Sequence, residues 1–221
     1  MAVEGRTGRR PAAKDRAYHF VKHRVLHGDY TGGELISEGE VAAALQMSRT
    51  PVREAFLRLE TEGLLRLYPQ RGALVVPVSA DEVRAVLEAR QVLEQFAVEK
   101  VLRRAAGTRD AVVAQLEAHI ARQRANGERG LLDAFLEQDR LFHTELVKAA
   151  GNELFTGLYT SLRDRQVRMV AESTLREPDR MDTILAEHAE IAAAISAGDL
   201  DRARTAVQIH IAGTRSALGL S

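Results

Sequence analysis

The sequence predicts a mainly α protein in two parts: a small helical domain closed by a β-hairpin, then an all-α bundle of six helices. Three observations predict this. Apolar residues recur at helical spacing through most of the 221 residues. The β-type runs, LLRLY and ALVVPV, occur in one place and are joined by the tight turn PQRG. Composition changes at about Val78, after which only helical periodicity is readable.

The elements follow in order. Residues 1–14, rich in Arg, Gly and Ala, read as a flexible basic arm. From Gly5 to Arg24, seven basic residues face Asp15 alone, although the whole chain balances 31 basic against 31 acidic residues. The first helix begins near Asp15, with Tyr18, Val21, Lys22 and Val25 at helical spacing and Gly28 as its stop. A second runs from about Ser37 to Gln46. A third starts at Ser48, an N-cap residue, with Pro51 in its first turn, where a missing N–H does no harm. Its apolar face is Val52, Ala55, Phe56 and Leu59, and Gly63 ends it. The hairpin completes a domain of residues 15–78. In the second domain, 79–221, Ser79 and Glu82 form a capping box that opens a helix ending near Gly107. Later breaks at Asn126 to Gly130, Ala150 to Asn152, Glu177 to Pro178, and Gly198 to Asp199 give six helices.

Composition narrows the chemistry. With no cysteine there are no disulfides and no thiolates, so any metal is held by nitrogen and oxygen. No apolar run approaches a membrane span and no export signal is visible, so a cytoplasmic location without membrane contact is expected.

Three helices followed by a two-stranded turn is the order of a winged helix-turn-helix. Arg49 and Arg53, with Thr50 between them, stand at the start of the third helix, suited to phosphate contact and to bidentate reading of guanine. Arg71 and Gly72 stand at the hairpin tip, placed to follow the DNA backbone or enter the minor groove. By spacing alone the arginines could equally be a solvated face. The segment Ser48 to Ala55, SRTPVREA, resembles the core pattern of GntR-family transcription regulators without a substitution, and LRLE, EGL and the Arg-Gly of the wing fit as well. The resemblance implies that Arg49, Thr50 and Arg53 contact bases and phosphates and that Gly72 is a wing contact. At Gly39 the chain departs from the family, many of whose members carry a basic residue there.

The second domain carries polar groups inside apolar stripes. At about 100° per residue, Leu132, Phe135, Leu136, Phe142, Leu146 and Ala150 fall within about 60° of Asp139, and His143 lies on the same side. His188 centres the stripe Met181, Ile184, Leu185, Ile191, Ala192 and Ile195, and His210 centres Ala203, Ala206, Val207 and Ala217. Each histidine alone reads as a hydrogen-bonded core residue. Together, one Asp and three His turned inward are what a buried divalent metal site needs. His19, His23 and His27 also share a stripe, but it lies away from the apolar face of the first helix and reads as solvated.

Residues from about Ser79 to Ala217 resemble the FCD (FadR-type) ligand-binding domain of one GntR subfamily, at lower identity. Asp139, His143, His188 and His210 match that family's metal ligands, and six helices suggest its VanR-like branch. The resemblance implies a zinc, nickel or manganese ion that helps hold a small carboxylate effector, with zinc the first expectation. Arg90, on the stripe Val83, Val86, Leu87, Leu93, Ala97 and Val101, turns a guanidinium inward. It requires an anion, either Glu94 four residues on or the effector, which the resemblance favours. Arg165, aligned with Leu158, Leu162 and Met169, is a second effector candidate. The expected protein is a homodimeric, metabolite-responsive repressor that binds an inverted-repeat DNA operator. The alternatives are a metal-dependent hydrolase with an accessory DNA-binding domain and a plain architectural DNA binder, which would leave the inward groups unexplained.

Overall fold

The computed structural model describes residues 12–177 and 179–220, without the side chains at positions 163, 172, 175 and 176. The chain divides into two compact units, the second beginning at Val78. The basic arm expected at 1–14 falls outside the described residues except for its last three, and Ala13 and Lys14 already belong to the first helix.

The first unit comprises α1 (Ala13–Leu26), β1 (Leu35–Ile36), α2 (Glu38–Ala44), α3 (Arg49–Thr61), β2 (Leu65–Tyr68) and β3 (Gly72–Val75). Its core is the set that the helical spacing selects: Tyr18, Val21 and Val25 of α1 and Val52, Ala55, Phe56 and Leu59 of α3 are buried, each larger side chain contributing about 1.5–3 kcal/mol. His19 and His23 are exposed. Ser37 and Glu40 cap α2 reciprocally, each side chain bonding the other's backbone N–H at 3.1 Å. Tyr18 and Lys22 of α1 converge on the Glu62 carboxylate just past α3, with the Lys22 ammonium 2.8 Å away.

The sheet has three strands in the order β1-β3-β2, both pairs antiparallel. The sequence reading has only the hairpin, because a two-residue strand such as β1 has no period to detect. Gly72 is indispensable to this pairing. Its φ is +100°, and a Cβ there would lie 2.3 Å from the carbonyl oxygen of Ile36.

The second unit comprises α4 (Ala80–Leu102), α5 (Ala106–Glu128), α6 (Leu132–Ala149), α7 (Glu153–Ser161), α8 (Arg163–Arg176), α9 (Arg180–Ala197) and α10 (Leu200–Ala217). Helix α5 packs on α6 and α9, and α10 packs on α9 and α4. These helices enclose one apolar core that includes Leu93, Ala97, Leu116, Phe142, Ile191 and Val207. Ser79 caps α4 by accepting from the Glu82 N–H, and Gly198, in the left-handed region, ends α9.

Seven helices, not six, stand among the described residues of this unit, which removes the ground for the VanR-like branch. The stretch expected as one helix after Asn152 breaks at Leu162, whose dihedrals (φ −83°, ψ −5°) barely leave the helical region. No glycine or proline marks the break. It also resets the helical phase, so that Gln166, Val167, Met169, Val170 and Ser173 are buried while Arg165 turns outward. Helix α4 stops at Leu102, ahead of the expected Gly107, which lies in the first turn of α5. Among the described residues, no helix is long and apolar enough to cross a membrane.

Candidate metal centre and nucleic-acid interface

Helices α6, α9 and α10 bring His143, His188 and His210 together in the core of the second unit, with ligand atoms within 4.8 Å of one another. All three side chains are buried, as is Asp139, one turn before His143. The Nε2 atoms of His143 and His188 are 3.1 Å apart, and Asp139 Oδ1 lies 3.6 Å from His188 Nε2. Phe142 stacks on the His188 ring at 4.1 Å between centroids.

The other ring nitrogens settle the tautomers. His143 Nδ1 donates to Glu94 Oε2 at 3.0 Å, and His210 Nδ1 donates to Glu187 Oε2 at 2.8 Å. His188 Nδ1 lies 2.9 Å from Gln123 Oε1, while the amide nitrogen of Gln123 donates to Asp139 at 3.4 Å, so the imidazole is the donor. Each ring therefore carries its proton on Nδ1 and turns the Nε2 lone pair into the cluster. Two lone pairs 3.1 Å apart repel unless a cation lies between them. Burial holds His188 and His210 well below the usual imidazole range, which favours unprotonated Nε2 lone pairs on both. Three fixed imidazoles and a carboxylate fit a divalent metal with nitrogen and oxygen ligands, and Glu94, Gln123 and Glu187 are the partners that such ligands require.

Two arginines complete the centre. Arg90, 1% exposed, donates from Nε to Glu94 Oε1 at 2.9 Å, and its Nη2 lies 3.4 Å from His210 Nε2. Glu94 also accepts from the Tyr159 hydroxyl at 2.7 Å. Burial pushes the Glu94 carboxyl up, but His143 and Arg90 outweigh it and hold the group well below the carboxylate range. For Asp139 and Glu187 burial dominates and raises the pKa, against the pull of His143 and Arg180 respectively. Arg180, 2% exposed, donates to Glu187 at 3.2 Å and to the Thr214 hydroxyl at 3.1 Å. Gly213 makes room for this pair, since a Cβ there would lie 2.6 Å from Glu187 Oε1 and 3.0 Å from Arg180 Nη1.

Of the sequence-predicted residues, Asp139, His143, His188, His210 and Arg90 thus come together. Arg165 does not join them: its side chain is 51% exposed and pairs with Glu82 at 2.9 Å. Sequence reasoning misses Gln123, Tyr159, Arg180 and Glu187. Arg180 leaves a signal, lying in the i, i+4, i+8 line with Ile184 and His188.

In the first unit, Arg49, Thr50 and Arg53 are exposed at the start of α3. A groove of about 620 Å³ is lined by Gly39, Arg49 and Arg53 together with Tyr68, Arg71 and Gly72 of the hairpin. Ser48 takes the extended N-cap conformation without a side-chain capping bond. Glu38, missed by the sequence reading, accepts from Arg53 Nε at 3.0 Å. The Arg49 guanidinium lies over Gly39, where a Cβ would be 3.3 Å from Nη2.

Comparison with known proteins agrees with both halves. Residues 13–75 match the bacterial regulatory proteins of the gntR family, and residues 85–213 match the FCD domain. The HTH-type transcriptional repressor RspR of Escherichia coli K12 is 32% identical over 215 residues, covering 96% of this chain and 91% of that protein. The gluconate operon transcriptional repressor of Bacillus licheniformis is 27% identical over 143 residues, covering 65% of this chain and 57% of that protein. Escherichia coli McbR/YncC has a similar structure, with a TM-score of 0.70 at 20% identity over 95% of this chain and 98% of that one. A GntR transcriptional regulator from Rhodococcus sp. RHA1 gives 0.73 at 20% identity, over 94% and 98%. At such identity these two structures speak for the fold alone.

Proposed function

Because the chain belongs to the GntR family of regulatory proteins and carries its FCD domain, we propose that it represses transcription as a homodimer on an inverted-repeat operator and senses a small carboxylate through a metal in the helical domain. Its relatives are transcription regulators, and the chain is accordingly a regulator and not a metal-dependent hydrolase.

The observation that carries the sensing half is the Nε2 to Nε2 approach of His143 and His188 at 3.1 Å, with both Nδ1 atoms committed elsewhere. In this reading Asp139, His143, His188 and His210 hold the ion, with zinc first and nickel or manganese next by ligand type. When bound, the ion supplies an electrophilic anchor for a carboxylate oxygen. Arg90 orients the incoming anion from beside His210 while Glu94 keeps its guanidinium in place. On the DNA side, Arg49, Thr50 and Arg53 enter the major groove, and Arg71 and Gly72 follow the backbone. Each subunit reads one half-site, and acid binding shifts the population of subunit arrangements that fit the operator.

The test pairs two titrations. Zinc affinity of the stripped protein is compared with that of Gln123→Ala, which is expected to bind 10–100-fold more weakly because His188 loses its orienting acceptor. The affinity of the zinc-loaded protein for DNA selected from a random pool is then measured with and without small carboxylic acids. Equal zinc affinity in wild type, Gln123→Ala and His188→Ala would remove the metal from the reading, and DNA affinity indifferent to every acid would remove the effector.

A further inference from the structure

The charged groups around the histidines sort into closed pairs with one remainder. Arg90 is neutralised by Glu94 at 2.9 Å, and Arg180 by Glu187 at 3.2 Å. Both arginine side chains are 2% exposed, and Glu94 and Glu187 are 0% and 10% exposed. The three imidazoles are neutral when they donate from Nδ1 and ligate through Nε2. Asp139 alone among the described residues brings an unbalanced charge to the cluster. With a divalent ion the buried shell therefore carries one net positive charge, and an interior that excludes water tolerates no uncompensated charge.

We propose that this site takes an effector presenting a single negative charge, a monocarboxylate whose remaining groups are uncharged, and discriminates against dicarboxylates of the same length. The proposal rests on the metal and effector reading above and narrows it. Arg180 and Glu187, which do not ligate the ion, leave that charge at one by neutralising each other, so breaking the pair from one side alone shifts the preference.

The test uses the zinc-loaded full-length protein and two length-matched pairs of acids, butyrate with succinate and gluconate with glucarate. Dissociation constants are taken at pH 7 from the rise in melting temperature with acid concentration. At least one monocarboxylate should bind tenfold or more tightly than its dicarboxylate partner. Glu187→Gln can still accept the His210 Nδ1–H, yet it leaves Arg180 uncompensated and should move the preference toward the dicarboxylate. The double variant Arg180→Gln/Glu187→Gln removes a neutral pair and should restore the wild-type preference. Equal or tighter binding of the dicarboxylates by wild type overturns the proposal and leaves the carboxylate-sensing reading intact. A preference unmoved in Glu187→Gln overturns the role of the pair, and if that variant does not fold, the wild-type comparison still decides the charge class. Zinc binding without any response to the four acids overturns both the proposal and the effector half of that reading.

Discussion

The two regions use one motif, an arginine held by a glutamate, for opposite ends. Arg53 and Glu38 in the first unit are 3.0 Å apart with the arginine side chain 71% exposed, whereas Arg90 and Glu94 in the second are 2.9 Å apart with both partners sealed from solvent. Geometry is nearly the same and the surroundings decide the consequence. In water the pair is worth little, and the guanidinium stays free to exchange its glutamate for a base or a phosphate. In the core the two charges hold each other in place, and removing one strands the other.

The sharpest break of this comparison is Glu94→Ala. It strips one acceptor from Arg90, His143 and Tyr159 together, and the expected loss is about 3–5 kcal/mol of unfolding free energy in urea. A loss below about 1 kcal/mol would mean that the buried pair is no more consequential than the exposed one. Arg53→Ala should do the reverse. Operator affinity falls by at least about 1 kcal/mol while stability changes by less than that, as read from DNA titration and urea melts of the same preparation. The smallest effect belongs to an intermediate case, the part-buried Glu62 beside Lys22 and Tyr18. Partial burial pushes its carboxyl up, but the hydrogen bonds from Lys22 and Tyr18 outweigh this and lower its pKa below the ordinary 4.5. A depressed carboxylate stabilises above its unfolded pKa and loses that contribution as pH falls through the folded value. The stability advantage of wild type over Glu62→Gln should therefore be up to about 1 kcal/mol at pH 7 and decline as the pH falls below the ordinary 4.5 toward the lower folded value. An advantage that did not decline at all on acidification below 4.5 would assign the effect to packing.

What the sequence could tell divides along the same line. The candidate metal centre is legible because Asp139, His143, His188 and His210 interrupt apolar stripes, and an interruption of a period is visible in one dimension. The start of α3 is legible because SRTPVREA combines a cap, a first-turn proline and a distinctive pattern. Their supporting partners are not. Gln123 and Glu187 are residue types that usually face water, and Glu187, although adjacent to His188, serves His210 across the α9–α10 interface. Arg165 is misread because its phase was carried through Leu162, where the helix turns without glycine or proline. Strand β1 is invisible for want of length, since two residues contribute no alternation.

Gly213 brings a further consequence for anyone seeking a hardier protein. Glycine within a helix costs roughly 1 kcal/mol relative to alanine, so a routine stabilisation scan would replace it early. Here the missing methyl is the space in which Arg180 and Glu187 meet. Stiffening α10 and keeping its wall thin enough for the ion pair are opposed demands at a single backbone position, and a methyl added there would come at the expense of the Arg180–Glu187 contact.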